Sequence, residues 1–143
     1  MRILLSIILL LGFVFELKSA DLNNIYFNVY RNGSKIGYHK IDFDNKNNSV
    51  NPYVEIRFEV TFLGFTVYNY FHQNNENWVN NSLVHLKTKT DKNGEDLYCS
   101  ASKTIDGMSL NGSNNEKDIY EQILPTSYWN YRLVEDKKNK RIL

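Results

Sequence analysis

Three histidines, one cysteine, a serine beside two aromatic residues and a spaced pair of carboxylates are the side chains with which this chain could do chemistry. His39, His72 and His85 could ligate a zinc-type metal if neighbouring strands presented them together. Their spacing argues against it, because no His-x-His or His-x-x-x-His pair occurs. Strand alternation also puts His39 with Ile41 and Phe43, His72 with Tyr68 and Tyr70, and His85 with Leu83 and Lys87, so at least two environments are expected. Neither a metal nor a cofactor is expected. Cys99 lies between Leu97 and Ala101 in an alternating strand and reads as a small buried hydrophobe, since no nearby motif would lower its thiol pKa. Ser127 is outside any Gly-x-Ser-x-Gly elbow, and Thr126 or Ser127 reads more simply as the cap of a short helical turn carrying Tyr128 and Trp129. Glu55 and Glu59 flank Arg57 on one strand face, the alternation of sign ordinary on a wet surface. No catalytic residue is expected, and the reading leans away from an enzyme.

The aromatic side chains point to a different kind of chemistry. The chain holds 10 Tyr, 8 Phe and 2 Trp, and Tyr68, Tyr70, Tyr26, Tyr30 and Tyr38 exceed what a one-sided core needs. Tyrosine suits a groove because its ring is apolar while its hydroxyl stays wet. Tyr68, Tyr70, His72, Tyr38 and Trp129 are therefore the candidate ligand-binding residues. The competing interpretation is a thick aromatic core in a domain without disulfides.

The elements that must position these residues are strands. Ile25, Phe27 and Val29 share one side of a first strand, Asn32-Gly33 supplies a tight hairpin turn, and Ile36 to Phe43 returns. Asp44 to Asn51 reads as a polar loop. Val54, Ile56, Phe58, Val60 and Phe62 alternate with Glu55, Arg57, Glu59 and Thr61, which makes one face dry, Phe58 included, and the other wet. Gly64 marks a bulge or bend, and a fourth strand from Phe65 to Gln73 carries bulky groups on both faces. Strands over Leu83–Thr90, Leu97–Ser102 and Met108–Leu110 follow, separated by turns at Asn93-Gly94 and Asp106-Gly107. Ser113 to Asp118 reads as a loop, Ile119 to Leu124 as a strand or a helical turn, and Pro125 as its end. The expected fold is mainly β: a single curved antiparallel sheet or partial barrel of hairpins, with at most one short helical turn near the C-terminus.

Arg2, the apolar run Ile3–Phe15 and the small residues Ser19-Ala20 read as a cleaved secretory signal over residues 1–20, since a stable span needs roughly 20 apolar residues. Residues 21–143 then form one β-rich domain, periplasmic or secreted, with no stable membrane span left after cleavage. That domain carries fifteen basic and fifteen acidic residues, a balance without the footprint expected for nucleic acid. Lys137, Lys138, Lys140 and Arg141 read as a solvated tail or a turn. With Cys99 as the lone cysteine, stability must come from burial rather than a disulfide.

Tyr30-Arg31-Asn32-Gly33-Ser34-Lys35-Ile36-Gly37-Tyr38-His39, Phe62-Leu63-Gly64-Phe65-Thr66-Val67-Tyr68-Asn69-Tyr70, Asn77-Trp78, Leu83-Val84 and Thr126-Ser127-Tyr128-Trp129-Asn130, in that order, resemble an uncharacterised family of exported, mainly alphaproteobacterial proteins, domain of unknown function 6134. The resemblance implies a periplasmic β-rich protein and transfers no catalytic residue. It also implies that such proteins continue past Leu143 into further strands, which would make this chain a fragment. The expected function is a non-catalytic binding or carrier module for a lipid or other apolar or amphipathic small molecule. The alternative is an envelope structural or assembly factor that pairs with a protein partner, and a hydrolase ranks last.

Overall fold

The structure, a computed structural model, describes residues 22–46, 48–113, 115–135 and 140–142. Eight strands follow one another as hairpins: β1 (Ile25–Arg31), β2 (Ser34–Lys46), β3 (Ser49–Phe62), β4 (Phe65–Val79), β5 (Ser82–Lys92), β6 (Glu95–Thr104), β7 (Gly107–Gly112) and β8 (Asn115–Tyr120). They pair in sequence order as one open antiparallel sheet. A short β9 (Ile123–Pro125) and the four-residue helix α1 (Arg132–Glu135) follow, and β10 (Lys140–Ile142) pairs in parallel with β9. Every long contact in the sheet is thus a neighbour-to-neighbour hairpin, which keeps the contact order low for a β protein.

Local chemistry explains the hairpins. Asn32-Gly33, Asn80-Asn81 and Asn93-Gly94 all sit at positive φ, the conformation a two-residue turn needs and one that Asn and Gly tolerate. Between the turns, register brings like faces together: Gly37, His39, Ile41 and Phe43 of β2 lie opposite Phe58, Ile56, Val54 and Pro52 of β3. Phe58, Ile56 and Val54 in turn face Tyr70, His72 and Asn74 of β4. Opposed residues point to the same side of an antiparallel sheet, so these positions form one inner face. Bulges at Val29/Tyr30, Val60/Thr61 and Asn77/Trp78 re-aim the strands and add twist.

The core gathers on that inner face. Trp78, Leu83, Leu86, Ala101, Met108 and Leu110 of the sheet pack on Ile123 and Leu124, with Val50, Cys99, Tyr120, Trp129 and Leu133 around them. All three residues of β9 are buried, so the segment after β8 folds back as a plug on the sheet.

Several polar stretches depart from the sequence expectation. Asp44 to Asn51 is mostly ladder, with Asp44 opposite Asn51 and Lys46 opposite Ser49. β4 runs on past Gln73 to Val79, and Asn115 to Asp118 forms most of β8. In each case cross-strand hydrogen bonding stabilises residues whose own side chains give little strand signal. The helical turn does not start at Thr126 or Ser127. Asn130 caps it, its Oδ1 accepting from the Arg132 amide at 3.1 Å, while Ser127 is buried. The signal segment 1–20, and Lys137 and Lys138 of the basic cluster, lie outside the described residues.

Candidate functional site

The inner face divides into a closed half and an open half, and Glu76 is the hinge between them. It alternates with Asn74 and Trp78 along β4, three even-numbered positions that strand geometry must put on one side. The carboxylate accepts hydrogen bonds from Trp78 Nε1 at 2.6 Å, Asn74 Nδ2 at 2.7 Å and Trp129 Nε1 at 3.2 Å. The Ser127 hydroxyl also favours the carboxylate, although it does not meet hydrogen-bond geometry. Burial pushes the Glu76 pKa up, and these donors offset that only in part. The indoles of Trp78 and Trp129 meet edge to face at 5.6 Å, and Trp129 meets Phe43 in the same way at 5.6 Å. Arg132 donates to the Asn81 carbonyl at 2.8 Å. Glu76 therefore clasps the plug segment to the sheet, and the carboxylate is too enclosed to meet a substrate.

Beside the clasp lies a cavity of about 30 Å³ lined by His72, Asn74, Thr88, Ser127 and neighbouring apolar residues. That volume suits a water molecule rather than a ligand. His72 Nδ1 lies 2.7 Å from Thr90 Oγ1. Its pKa is lowered, first by burial and then by His39. His39 is lowered by burial as well. The two rings share the inner face across Ile56, whereas His85 is exposed and lies 3.1 Å from Ser102 Oγ. Alternation within single strands could separate His39 from His72 only in name, because the register that unites them is tertiary. No group of three or more metal-binding side chains occurs among the described residues.

The open half extends from His72 toward the β3–β4 turn. Ile56, Phe58, Val60, Tyr68 and Tyr70 are only partly covered. Phe58 stacks on Tyr70 at 5.7 Å, and Tyr70 stacks on His72 at 6.2 Å, a continuous aromatic run. Burial raises the Tyr70 pKa, and the nearby phenols of Tyr68 and Tyr128 add to it. Tyr128, at positive φ and 69% exposed, overhangs this half and meets His39 edge on at 6.1 Å. At the far end the β1–β2 and β3–β4 hairpins diverge around a concavity of about 630 Å³, walled by Ile36, Val60, Phe62 and Val67 and carrying Arg31, Lys35 and Glu59.

Of the five candidates, Tyr68, Tyr70 and His72 come together on the open inner face. Trp129 reaches the same face but in its closed half, where it is part of the clasp. Tyr38 is separated from all of them by the sheet: it lies opposite Arg57, stacks on Tyr26 at 5.8 Å and donates to Glu55 Oε1 at 2.6 Å. There it belongs to an outer-face network in which Tyr53 donates to Glu55 Oε2 at 2.6 Å and Gln73 donates to Tyr53. Burial pushes Glu55 up, but the Tyr38 and Tyr53 hydroxyls, Gln73 and Lys40 together outweigh it and hold the carboxyl below its ordinary value. Tyr53 is pushed up to about 12 by burial and by its bond to Glu55. Glu55 thus sits under tyrosines rather than on a plain wet face. Phe58, expected in the dry core, is half-buried in the open stripe. Cys99 is partly buried against the core, and burial raises its thiol pKa.

Sequence reasoning missed Asn74 and Glu76. The available signal was the spacing His72, Asn74, Glu76, Trp78, which is readable only if the strand is carried past Gln73.

The family model for the domain of unknown function DUF6134 matches residues 27–139, and the chain belongs to that family. No curated protein and no solved structure matches it.

Proposed function

We propose that this DUF6134 protein is a non-catalytic binding module that holds an apolar or amphipathic ligand on the open half of its inner face, in the periplasm or outside the cell. The observation that carries this reading is the stacked aromatic run Phe58, Tyr70 and His72, in which Phe58 and Tyr70 are partly uncovered while His72 is buried, and beyond which Val60 lines the concavity between the hairpins. A stripe of that kind on the packed side of a sheet leaves apolar area in water, which ligand burial would remove at about 25 cal/mol per Å². Arg31 and Lys35 at the concavity give an anionic head group a favourable end. Glu76 and Ser127 supply no accessible nucleophile or base, in keeping with a carrier.

The test is native mass spectrometry and lipid extraction of protein purified from its own envelope, in parallel with a Phe58→Asp, Tyr70→Ser variant. A fatty acid or lipid retained by the first and lost from the second is expected. Empty wild-type protein that also takes up no added fatty acid would sink the proposal. A second reading, pairing with an envelope protein, draws on the outer edge of β1, which no strand among the described residues covers. Crosslinking in cells from Tyr26 or Asn28 would then recover one recurring partner.

A further inference from the structure

The turn joining β3 and β4 departs from the asparagine and glycine chemistry of the hairpin turns at residues 32–33, 80–81 and 93–94. Among the described residues, two of the six non-glycine residues at positive φ are not asparagine, Leu63 and Tyr128; the others are Asn32, Asn80, Asn81 and Asn93. A branched apolar residue in the left-handed region is disfavoured relative to asparagine, and Leu63 gains nothing from packing because it is 82% exposed. Phe62 and Phe65 beside it are opposed across the hairpin and are 65% and 75% exposed. From Val60 through Asn75 no residue is charged. A strained turn that keeps an apolar side chain in water points to contact with something outside the fold.

The hairpin is built to reach. β3 has no ladder partner on the β2 side beyond Phe58, and β4 meets the β5 side only from Asn69, which accepts from the Asn93 amide at 2.9 Å and donates to its Oδ1 at 2.8 Å. The last four residues of β3 and the first four of β4 therefore pair only with each other and extend about 13 Å at roughly 3.3 Å per residue. The adjoining β1–β2 end carries Tyr30, exposed, with Arg31 and Lys35. Neither cation forms an ion pair among the described residues.

We propose that the β3–β4 hairpin is a membrane-docking prong, with Phe62, Leu63 and Phe65 entering the boundary between head groups and acyl chains while Arg31 and Lys35 meet anionic head groups. An apex of apolar rings and a leucine, backed by Tyr68 and Tyr30 and then by cations, is the layering an interfacial anchor requires. Edge-to-edge pairing with another strand uses backbone groups along a strand and has no use for the side chain at the turn apex. The strained Leu63 therefore favours a bilayer over a second copy. This docking stands whether or not the inner face holds a ligand.

The test uses the full chain in a Cys99→Ser background with an environment-sensitive fluorophore on Leu63→Cys, and separately on Asn80→Cys at the opposite end of the sheet. Vesicles of phosphatidylcholine are compared with vesicles that also contain phosphatidylglycerol. The label at position 63 should shift to the blue and become shielded from iodide, more strongly with phosphatidylglycerol, while the label at position 80 stays in water. Leu63→Asn keeps the turn and should weaken vesicle binding at position 65 at least tenfold, read from a label on Phe65→Cys. Shielding of neither label, equal shielding of both, or unchanged binding of Leu63→Asn would overturn the proposal. So would a shift at position 63 that needs only higher protein concentration, since that assigns the hairpin to a second copy.

Discussion

Glu76 does the most with a single side chain. Its carboxylate collects two indoles and an amide from residues as far apart as Asn74 and Trp129. Removing it by Glu76→Ala leaves those donors buried without an acceptor, and urea denaturation should show a loss of roughly 3 kcal/mol or more. Its pH dependence has a definite sign. Burial raises the folded pKa above the ordinary value of 4.5, so the folded chain holds that proton more tightly than the unfolded chain. The stabilising contribution is fully present below 4.5 and is lost as pH rises through the raised value. Wild-type stability should therefore fall relative to Glu76→Gln as pH climbs through that window, a difference that parallel thermal melts would measure. An unchanged difference would mean that Glu76 titrates as an exposed carboxylate does. Little of this was legible from the chain, because the partners that give Glu76 its role lie on a segment whose approach no local pattern encodes. Tyr38 is the opposite case. It alternates with His39 and Ile41, so parity already placed it on the other face, and only its ring chemistry grouped it with Tyr70.

Elements were easier to read than residues wherever a turn had its own chemistry. Asn32-Gly33 and Asn93-Gly94 announce hairpins because positive φ suits both residues, and the alternation of β3 announces a two-faced strand. The polar halves of β4 and β8 were hidden, since Asn74 to Asn77 and Asn115 to Asp118 resemble loop in composition and become strand only through their neighbours. One glycine fixes how closely two elements approach. A Cβ at Gly37 would lie 1.8 Å from the Arg57 carbonyl oxygen, so β2 and β3 could not keep their spacing. Gly37→Ala should cost about 2–3 kcal/mol, the range of a forced overpacking, and a melt indistinguishable from wild type would refute the register given for this pair. Leu63→Asn should act in the other direction, raising stability by roughly 0.5–1 kcal/mol as the turn loses its strain.

At the scale of the whole molecule, the described residues form a sheet closed on one half by the segment that follows β8 and left open on the other. Trp129 holds that closure through Glu76, Trp78 and Phe43. Trp129→Ala should therefore cost roughly 3–5 kcal/mol, with limited proteolysis first appearing between residues 121 and 135. Cleavage elsewhere first would show that the segment is not the weak point of the assembly. The mainly β, antiparallel character was legible because alternation and turns are local signals; the division into two halves was not, because it depends on where a distant segment lands. The central claim is that the open half receives a ligand. The most direct measurement is an NMR titration of isotope-labelled protein with a medium-chain fatty acid, following side-chain resonances. Saturable shifts at Ile56, Phe58, Val60, Tyr68 and Tyr70, with Tyr38 and Tyr53 on the opposite face unmoved, are the predicted result. Shifts confined to Tyr38 and Tyr53, or none that saturate, would contradict it.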